Sequence, residues 1–245
     1  MAVELIAHRG FSAVAPENTL SAFSAACRTA AHGIEFDLHL SADGTPVVIH
    51  DARLNRTTNG WGRVRRKPLA RLKRLDAGSW FDRQFAGEPI PTLEEVLALL
   101  APSSLQIYPE VKQGHCWGPA DIDRLVALLA SPAWADRCVL VSFDDRFLQQ
   151  VRDRAAHLPL GFNVAGTSAY RYRQKLERAR DCGNALLLSE YRLLLKNPKL
   201  ARVALEGGIE LGAWTVDCYQ DLQALQQLGV VRAVTNSLLP ARASG

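Results

Sequence analysis

The sequence predicts an α/β protein, a closed (β/α)₈ TIM barrel carrying one small insertion after the second to third strand region. Short apolar runs alternate with helical stripes from one end of the 245 residues to the other. About eight such units fit a chain of this length, as a barrel of parallel strands joined by crossover helices requires. No Gly-x-Gly-x-x-Gly turn follows any of the apolar runs, which weakens the competing open, doubly wound sheet.

The candidate strands in order are Leu5 to Ala7, Ile34 to Leu40, Pro46 to Ile49, Leu105 to Val111 and Cys138 to Phe143. Leu158 to Val164, Ala185 to Leu188, Ile209 to Val216 and Val231 to Thr235 continue the series. Pro109 cannot donate to a ladder, so a bulge or a strand start is expected there. Between the runs, Leu20, Phe23, Cys27 and Ala30 or Ala31 recur at helical spacing. Thr92 with Glu95 forms a capping box ahead of Leu93, Val96, Leu97 and Leu100. Ile122, Leu125, Val126 and Leu129 make another stripe, as do Phe147, Leu148 and Val151. Leu222, Leu225 and Leu228 close the set, with Gly229 as the stop.

One stretch breaks the rhythm. From Asp51 to Pro91 no clean strand–helix unit appears, and so long an irregular segment reads as a functional insertion or lid. The chain is therefore expected to form a single barrel domain over 1–245, with its insertion at about 51–91. Between Arg53 and Asp76 the segment holds nine Lys or Arg residues and one acid. Lacking an aromatic stacking platform or a nucleic-acid-binding fold, it reads as a solvated helix face or mild steering of an anionic substrate.

Composition narrows the class further. An apolar content of 48% and a charged content of 22% belong to an ordinary soluble globular protein, and the net charge of +4 is only mildly basic. The first residues lack the basic start and longer apolar core of a signal peptide, and no run approaches a membrane span. Five scattered cysteines, without metal-finger spacing, read as reduced thiols in a cytoplasmic protein.

The chemistry begins at Ile34-Glu35-Phe36-Asp37-Leu38-His39-Leu40. Side chains alternate along a strand, so Glu35, Asp37 and His39 share one face. In a barrel the apolar face meets the helices, which sends the acids inward. Ionised carboxylates side by side need compensation, from a divalent cation or from basic partners. Glu110 and Lys112 share a face in another strand; residues so spaced rarely bond directly, so Glu110 reads as a third acid for an oxygen-coordinated Mg²⁺ or Ca²⁺. No histidine or cysteine cluster accompanies the acids to favour zinc.

His8, with Arg9, ends the first strand, and His50 ends the strand after the acidic one. Both are expected at the C-terminal mouth, where barrel active sites lie. Imidazoles titrate near neutrality and can divide the work of general acid and general base. Three carboxylates and one divalent cation leave a charge of −1, which Arg9 and Lys112 turn to +1. A phosphodiester, at −1, neutralises the complex.

Together these residues resemble the glycerophosphodiester phosphodiesterase family, particularly its cytosolic bacterial members. The match runs through His8-Arg9-Gly10, Pro16-Glu17-Asn18-Thr19, Glu35-x-Asp37, Asp43-Gly44 and His50-Asp51. It continues through Arg56 to Gly62, Asp76 to Trp80, Pro91 to Glu95, Glu110-x-Lys112, Val141-Ser142-Phe143, Trp214-Thr215-Val216 and Thr235-Asn236. Each piece alone is weak; the ordered series spans essentially the whole chain.

The resemblance implies a divalent cation, Mg²⁺ or Ca²⁺, on Glu35, Asp37 and Glu110, an acid–base pair of His8 and His50, and phosphate held by Arg9 and Lys112. It implies a small-molecule glycerophosphodiester as substrate, with no nucleic acid and no stable membrane anchor, and glycerol 3-phosphate and an alcohol as products. Trp214 is a candidate to pack the glycerol moiety, or simply to close the barrel. Asp217 stands where asparagine is common, and Gln113 where proline often follows the lysine. His39 is either a direct participant or a support. His115, Cys116 and Trp117 read as local packing.

Overall fold

The computed structural model describes residues 2–166 and 168–238. Nine strands form one sheet: β1 Glu4–His8, β2 Gly33–Leu40, β3 Pro46–Val48, β4 Gln106–Val111, β5 Leu140–Ser142, β6 Leu160–Val164, β7 Ala185–Glu190, β8 Glu210–Trp214 and β9 Arg232–Thr235. Eight of them are parallel to their neighbours, and β1 pairs with both β2 and β9, so the sheet closes on itself. The helices are α1 Leu20–Cys27, α2 Leu69–Leu72, α3 Leu93–Leu100, α4 Pro119–Leu129, α5 Asp145–Arg152, α6 Ala169–Cys182, α7 Tyr191–Lys196, α8 Pro198–Glu206 and α9 Tyr219–Gln227. This is a (β/α)₈ barrel.

Alternation along the strands builds two apolar layers. Outward residues such as Ile34, Phe36, Leu38, Ile107 and Leu187 pack with the helices into the main core. Inward residues, among them Ile6, Tyr108, Val141, Leu186, Leu188 and Val234, fill the barrel itself. The capping box forms as expected: Thr92 accepts from the Glu95 N–H while the Glu95 carboxylate accepts from the Thr92 N–H.

Three sequence expectations change, and three helices appear that the sequence did not announce. The run Pro46 to Ile49 is not a barrel strand; β3 lies antiparallel on β2, with His39 opposite Val47, because the Asp43-Gly44 turn sends the chain straight back. Pro109 is neither a bulge nor a strand start, since β4 pairs with β2 without interruption from Gln106 to Val111. The Ile107 N–H donates toward β5, so the Pro109 nitrogen two residues on faces that same side and drops a bond only there.

In α1 the buried face is Ala22, Phe23 and Ala26; Cys27 is exposed and the helix ends before Ala30. Finally, α6, α7 and α8 carry no clear sequence stripe. In α6, Tyr172, Leu176 and Ala179 are buried, but five Lys or Arg residues dilute the pattern.

Between β3 and α3 the chain builds a satellite core. Leu54, Val64, Leu72, Ala77 and Ile90 pack with Val47 and Ile49 of the hairpin leg. Lys73 ties this segment to α3, its ammonium donating to both Glu95 carboxylate oxygens and to the Ile90 carbonyl. Leu72→Ala is expected to cost about 2–5 kcal/mol, the usual range for a fully buried leucine. Urea denaturation would show it as a lower midpoint at unchanged slope; an unchanged midpoint would mean the segment is not packed as described.

Candidate active site

Register, rather than any single strand, assembles the acids. In the parallel sheet His8 lies opposite Glu35, and Asp37 lies opposite Glu110, so all four side chains face the barrel interior at its C-terminal mouth. The three acids are buried, at 5%, 1% and 7% exposure, and one oxygen from each lies within 4.8 Å of the others. Among the described residues this is the group of acids, histidines or cysteines able to hold a metal ion. Glu35 Oε1 is buried and accepts no hydrogen bond. An oxygen-only donor set with an unused buried oxygen fits a hard divalent cation.

The charges at the mouth pull on one another. Burial raises Glu35 well above the usual carboxyl range, and repulsion from Asp37 and Glu110 adds to this. Burial likewise pushes Glu110 up, with Asp37 adding to the rise and Lys112 opposing it, to about 7. Asp37 goes the other way: burial would raise it, but Lys112 and Arg9 outweigh that and hold it below its ordinary range.

Lys112 Nζ lies 2.9 Å from Asp37 Oδ1 and 2.6 Å from Glu110 Oε1. Direct bonding between Glu110 and Lys112 runs against the expectation from their spacing. It arises because Lys112 sits just past the end of β4, free to fold its long side chain back over the mouth. The Asn18 side chain clamps Asp37 from both sides, accepting from its N–H at 3.1 Å and donating to Oδ2 at 2.8 Å.

Backbone geometry at the first loop serves the same group. Arg9 and Asn18 both adopt left-handed conformations, with φ of 56° and 59°, a strain non-glycine residues tolerate only where the surroundings over-determine it. The Arg9 N–H thereby donates to Glu35 Oε2 at 3.1 Å, and its guanidinium lies 3.3 Å from Asp37 Oδ2. Between them Gly10 has φ of 81°, and a Cβ there would stand 2.7 Å from the Ala22 backbone. The loop admits no other residue without moving α1.

The two histidines arrive by different routes. His8 ends β1. His50 reaches the site because β3 runs back down beside β2, bringing the chain to the level of Asp37, whose carbonyl accepts from the Ile49 N–H. His39 Nε2 bonds the His50 carbonyl at 3.0 Å, so His39 supports this leg and does not line the cavity between the histidines.

Each catalytic candidate is held at Nδ1. His50 Nδ1 donates to Asp51 Oδ1 at 2.7 Å. Asp51 is held near 2, chiefly by its hydrogen bond with Arg56, and Arg56 continues to Glu17 and so to Arg9. His8 Nδ1 lies 2.6 Å from Asn236 Oδ1. Asp217 fixes that amide, accepting from the Asn236 side-chain and backbone N–H groups at 2.7 Å. A carboxylate can only accept, so the amide oxygen must face His8, whose Nδ1 carries the proton and whose Nε2 is left for the cavity. Burial first, then Arg9, lowers His8 to about 4, so its imidazole is neutral at physiological pH.

His8, His50, Arg9, Glu35, Glu110 and Lys112 all line one cavity of about 260 Å³. Trp214 lines its other wall, its indole N–H donating to the Leu188 carbonyl at 3.0 Å and its ring edge-on to Phe143. Trp117 packs buried against Phe147, as expected of local packing. Sequence reasoning assigned no role to Glu17, Asn18, Asp51, Arg56 or Asn236, although all lie in the motif pieces quoted for the resemblance. The exposed Phe143 also lies in one of those pieces without an assigned role, whereas Asn163 gave no signal at all.

A parallel barrel whose C-terminal mouth gathers three buried acids able to hold a metal ion, with imidazoles beside them, has the layout of a hydrolase site. The sequence profile of the glycerophosphoryl diester phosphodiesterase family matches residues 8–239. The chain belongs to this family, and it is an enzyme of the phosphoric diester hydrolase class. It is 34% identical over 234 residues to a glycerophosphodiester phosphodiesterase of Caldanaerobacter subterraneus subsp. tengcongensis, covering 95% of this chain and 93% of the relative. A Bacillus subtilis glycerophosphodiester phosphodiesterase is 31% identical, with 94% and 82% covered. The solved structure of an Oleispira antarctica phosphodiesterase in complex with the product sn-glycerol-3-phosphate superposes with a TM-score of 0.86 at 28% identity, covering 96% and 94% of the two chains.

The shifted carboxyls set a pH-dependent response. Glu110 moves from 4.5 to about 7 and Glu35 moves the same way. A carboxyl raised by folding keeps its proton while the unfolded chain ionises. The ion-free protein therefore loses stability as pH climbs from about 4.5 to 7, with no further loss from Glu110 above that. Asp37, held low, acts only at more acid pH. A divalent cation competes with the held protons, so the rise in thermal midpoint given by Mg²⁺ or Ca²⁺ should be larger at about pH 8 than at about pH 5. Calorimetry showing an equal or smaller rise at the higher pH would contradict this assignment.

Proposed function

We propose that this chain hydrolyses glycerophosphodiesters to glycerol 3-phosphate and an alcohol, with a divalent cation, Mg²⁺ or Ca²⁺, held by Glu35, Asp37 and Glu110. The observation that carries the reading is the shared cavity in which His8 and His50 flank the acidic group, each steadied at Nδ1. The product complex of the Oleispira antarctica phosphodiesterase supports the same substrate class.

Arg9 and Lys112 bind the phosphate and offset its charge. A bound cation would supply further stabilisation of charge developing on the phosphoryl oxygens. One imidazole takes the proton of the attacking oxygen, from water or from a glycerol hydroxyl; the other returns a proton to the departing alcohol as its bond to phosphorus breaks. Where the glycerol hydroxyl attacks, a cyclic phosphate forms and water opens it with the roles of the imidazoles exchanged. Trp214 packs against the glycerol carbons, since an indole face covers apolar atoms at little entropic cost.

We read residues 1–245 as one barrel domain, with the insertion at 51–91 supporting His50 through Arg56. Free cysteines throughout support a reducing, cytoplasmic setting. No helix among the described residues is long and apolar enough to cross a membrane.

Glycerol 3-phosphate release from glycerophosphocholine is expected to stop with EDTA and return with added Mg²⁺ or Ca²⁺; indifference to chelation would remove the metal. His8→Ala and His50→Ala should each lower kcat by about 10²- to 10⁴-fold, the usual worth of a positioned acid or base. Unchanged turnover in either variant would end its assignment.

A further inference from the structure

The cavity has two unlike walls. The wall from β1, β2 and β4 carries His8, Glu35, Glu110 and, just beyond the strand ends, Arg9 and Lys112. The wall from β5 to β9 is apolar, with Val141, Leu188, Trp214 and Val234 on it. Set into that apolar wall is Asn163, on β6 between the Val141 strand and Leu188, its partner in register. It is 3% exposed and its Oδ1 is buried without a hydrogen-bond partner. Among the described residues nothing bonds its carboxamide. The ion pairs and hydrogen bonds that steady the histidines and acids do not involve it.

A buried amide with no partner is costly to fold around and rare in native proteins, so its presence in a binding cavity asks for a ligand. Resting on the function proposed above, we infer that Asn163 is a specificity-determining residue that binds a free hydroxyl of the substrate's glycerol moiety.

The charges dictate the pose. A phosphodiester held between Arg9 and Lys112 puts the carbons of its glycerol arm against Trp214 and Leu188. Such a wall covers the carbons and offers a hydroxyl two polar partners, Thr215 at the rim and Asn163 buried within it. The carboxamide presents one acceptor and one donor, exchangeable by a half-turn of its terminal torsion, and a hydroxyl can serve as either complement. Sites that pair a substrate hydroxyl with a buried polar group discriminate strongly against analogues that lack it, because the protein group is then stranded. The enclosed apolar half thus selects glycerol, and the departing alcohol leaves toward solvent.

The test is Asn163→Leu, which keeps the branched shape and removes the polar atoms. With glycerophosphocholine, kcat/KM should fall about 10- to 100-fold, the worth of one buried hydrogen bond left unmade. With bis(4-nitrophenyl) phosphate, which has no glycerol hydroxyl, the change should stay within about threefold, below the smallest worth of such a bond. As product inhibitors, glycerol 3-phosphate should bind wild type more tightly than propyl phosphate, which has no hydroxyl, and the variant should not tell the two apart. The thermal midpoint should hold or rise, because an unpartnered polar group has been taken out of the interior.

Equal losses on both substrates, or a midpoint lowered by more than about 4 °C, would mark Asn163 as structural and overturn the inference. If wild type itself cleaved bis(4-nitrophenyl) phosphate but no glycerophosphodiester, the proposed function would fall, and this assignment with it.

Discussion

Three carboxylates confined to one patch of barrel interior set the terms for the rest of the mouth. Glu35, Asp37 and Glu110 are placed together by register between β2 and β4, and burial denies them the solvent that would screen their repulsion. Much of the surrounding structure answers that problem. Lys112 folds back over two of the acids, Arg9 approaches a third edge, and Asn18 grips Asp37 through both backbone and side chain. The left-handed conformations at Arg9 and Asn18, and the tight approach of Gly10 to α1, are the backbone cost of aiming those groups. Even so compensation is uneven, since Glu35 and Glu110 remain raised while Asp37 is held low. A doubly charged ion suits a cluster whose own cations are too few and too far to one side.

The same constraint explains the division of labour around the barrel. Polar side chains crowd the β1, β2 and β4 sector, and the opposite sector stays apolar apart from Asn163 and the rim residue Thr215. The antiparallel leg β3 and the segment after it add what an eight-stranded barrel could not: a second imidazole entering from outside the ring. Its placement is secured by a run of ion pairs, His50 to Asp51 to Arg56 to Glu17 to Arg9, which returns to the acids where the problem began. The basic residues of this segment are mostly solvated, but Arg56, itself exposed, and the partly buried Lys73 have structural tasks.

Much of this was legible in the chain. Strict alternation in Ile34 to Leu40 announces inward acids because a strand has only two faces, and the repeated strand–helix rhythm announces the barrel because parallel strands need crossovers. His8, Arg9, Lys112 and Trp214 stand where strand ends predict them. What the sequence hid was long-range. Nothing local tells Pro46 to Ile49 from a parallel strand; only the shortness of the Ser41 to Thr45 turn argues for a hairpin. His50 was therefore expected at the right place for a wrong reason. The bond between Lys112 and Glu110 was missed because strand spacing describes a residue inside a ladder, not one just beyond its end. Asn163 was invisible because one asparagine in an apolar run signals nothing until its neighbours on β5 and β7 are known.

Asp217 shows how a departure from the family pattern can leave the proposed proton-transfer pair intact. An asparagine at this position could either give or accept hydrogen bonds, and the amide of Asn236 beside it could then turn either way. A carboxylate removes that freedom. Its two oxygens accept from the Asn236 backbone and side-chain N–H groups and from the Thr235 hydroxyl, so the amide oxygen has one direction left, toward His8. The Ser12 hydroxyl donates to the same oxygen from the first loop. On the far side of the cavity Asp51 does for His50 with a charged acceptor what Asn236 does for His8 with a neutral one. Both imidazoles are thereby pinned at Nδ1, which in the proposed reaction would leave the Nε2 atoms of two histidines drawn from unrelated parts of the chain for one phosphorus centre.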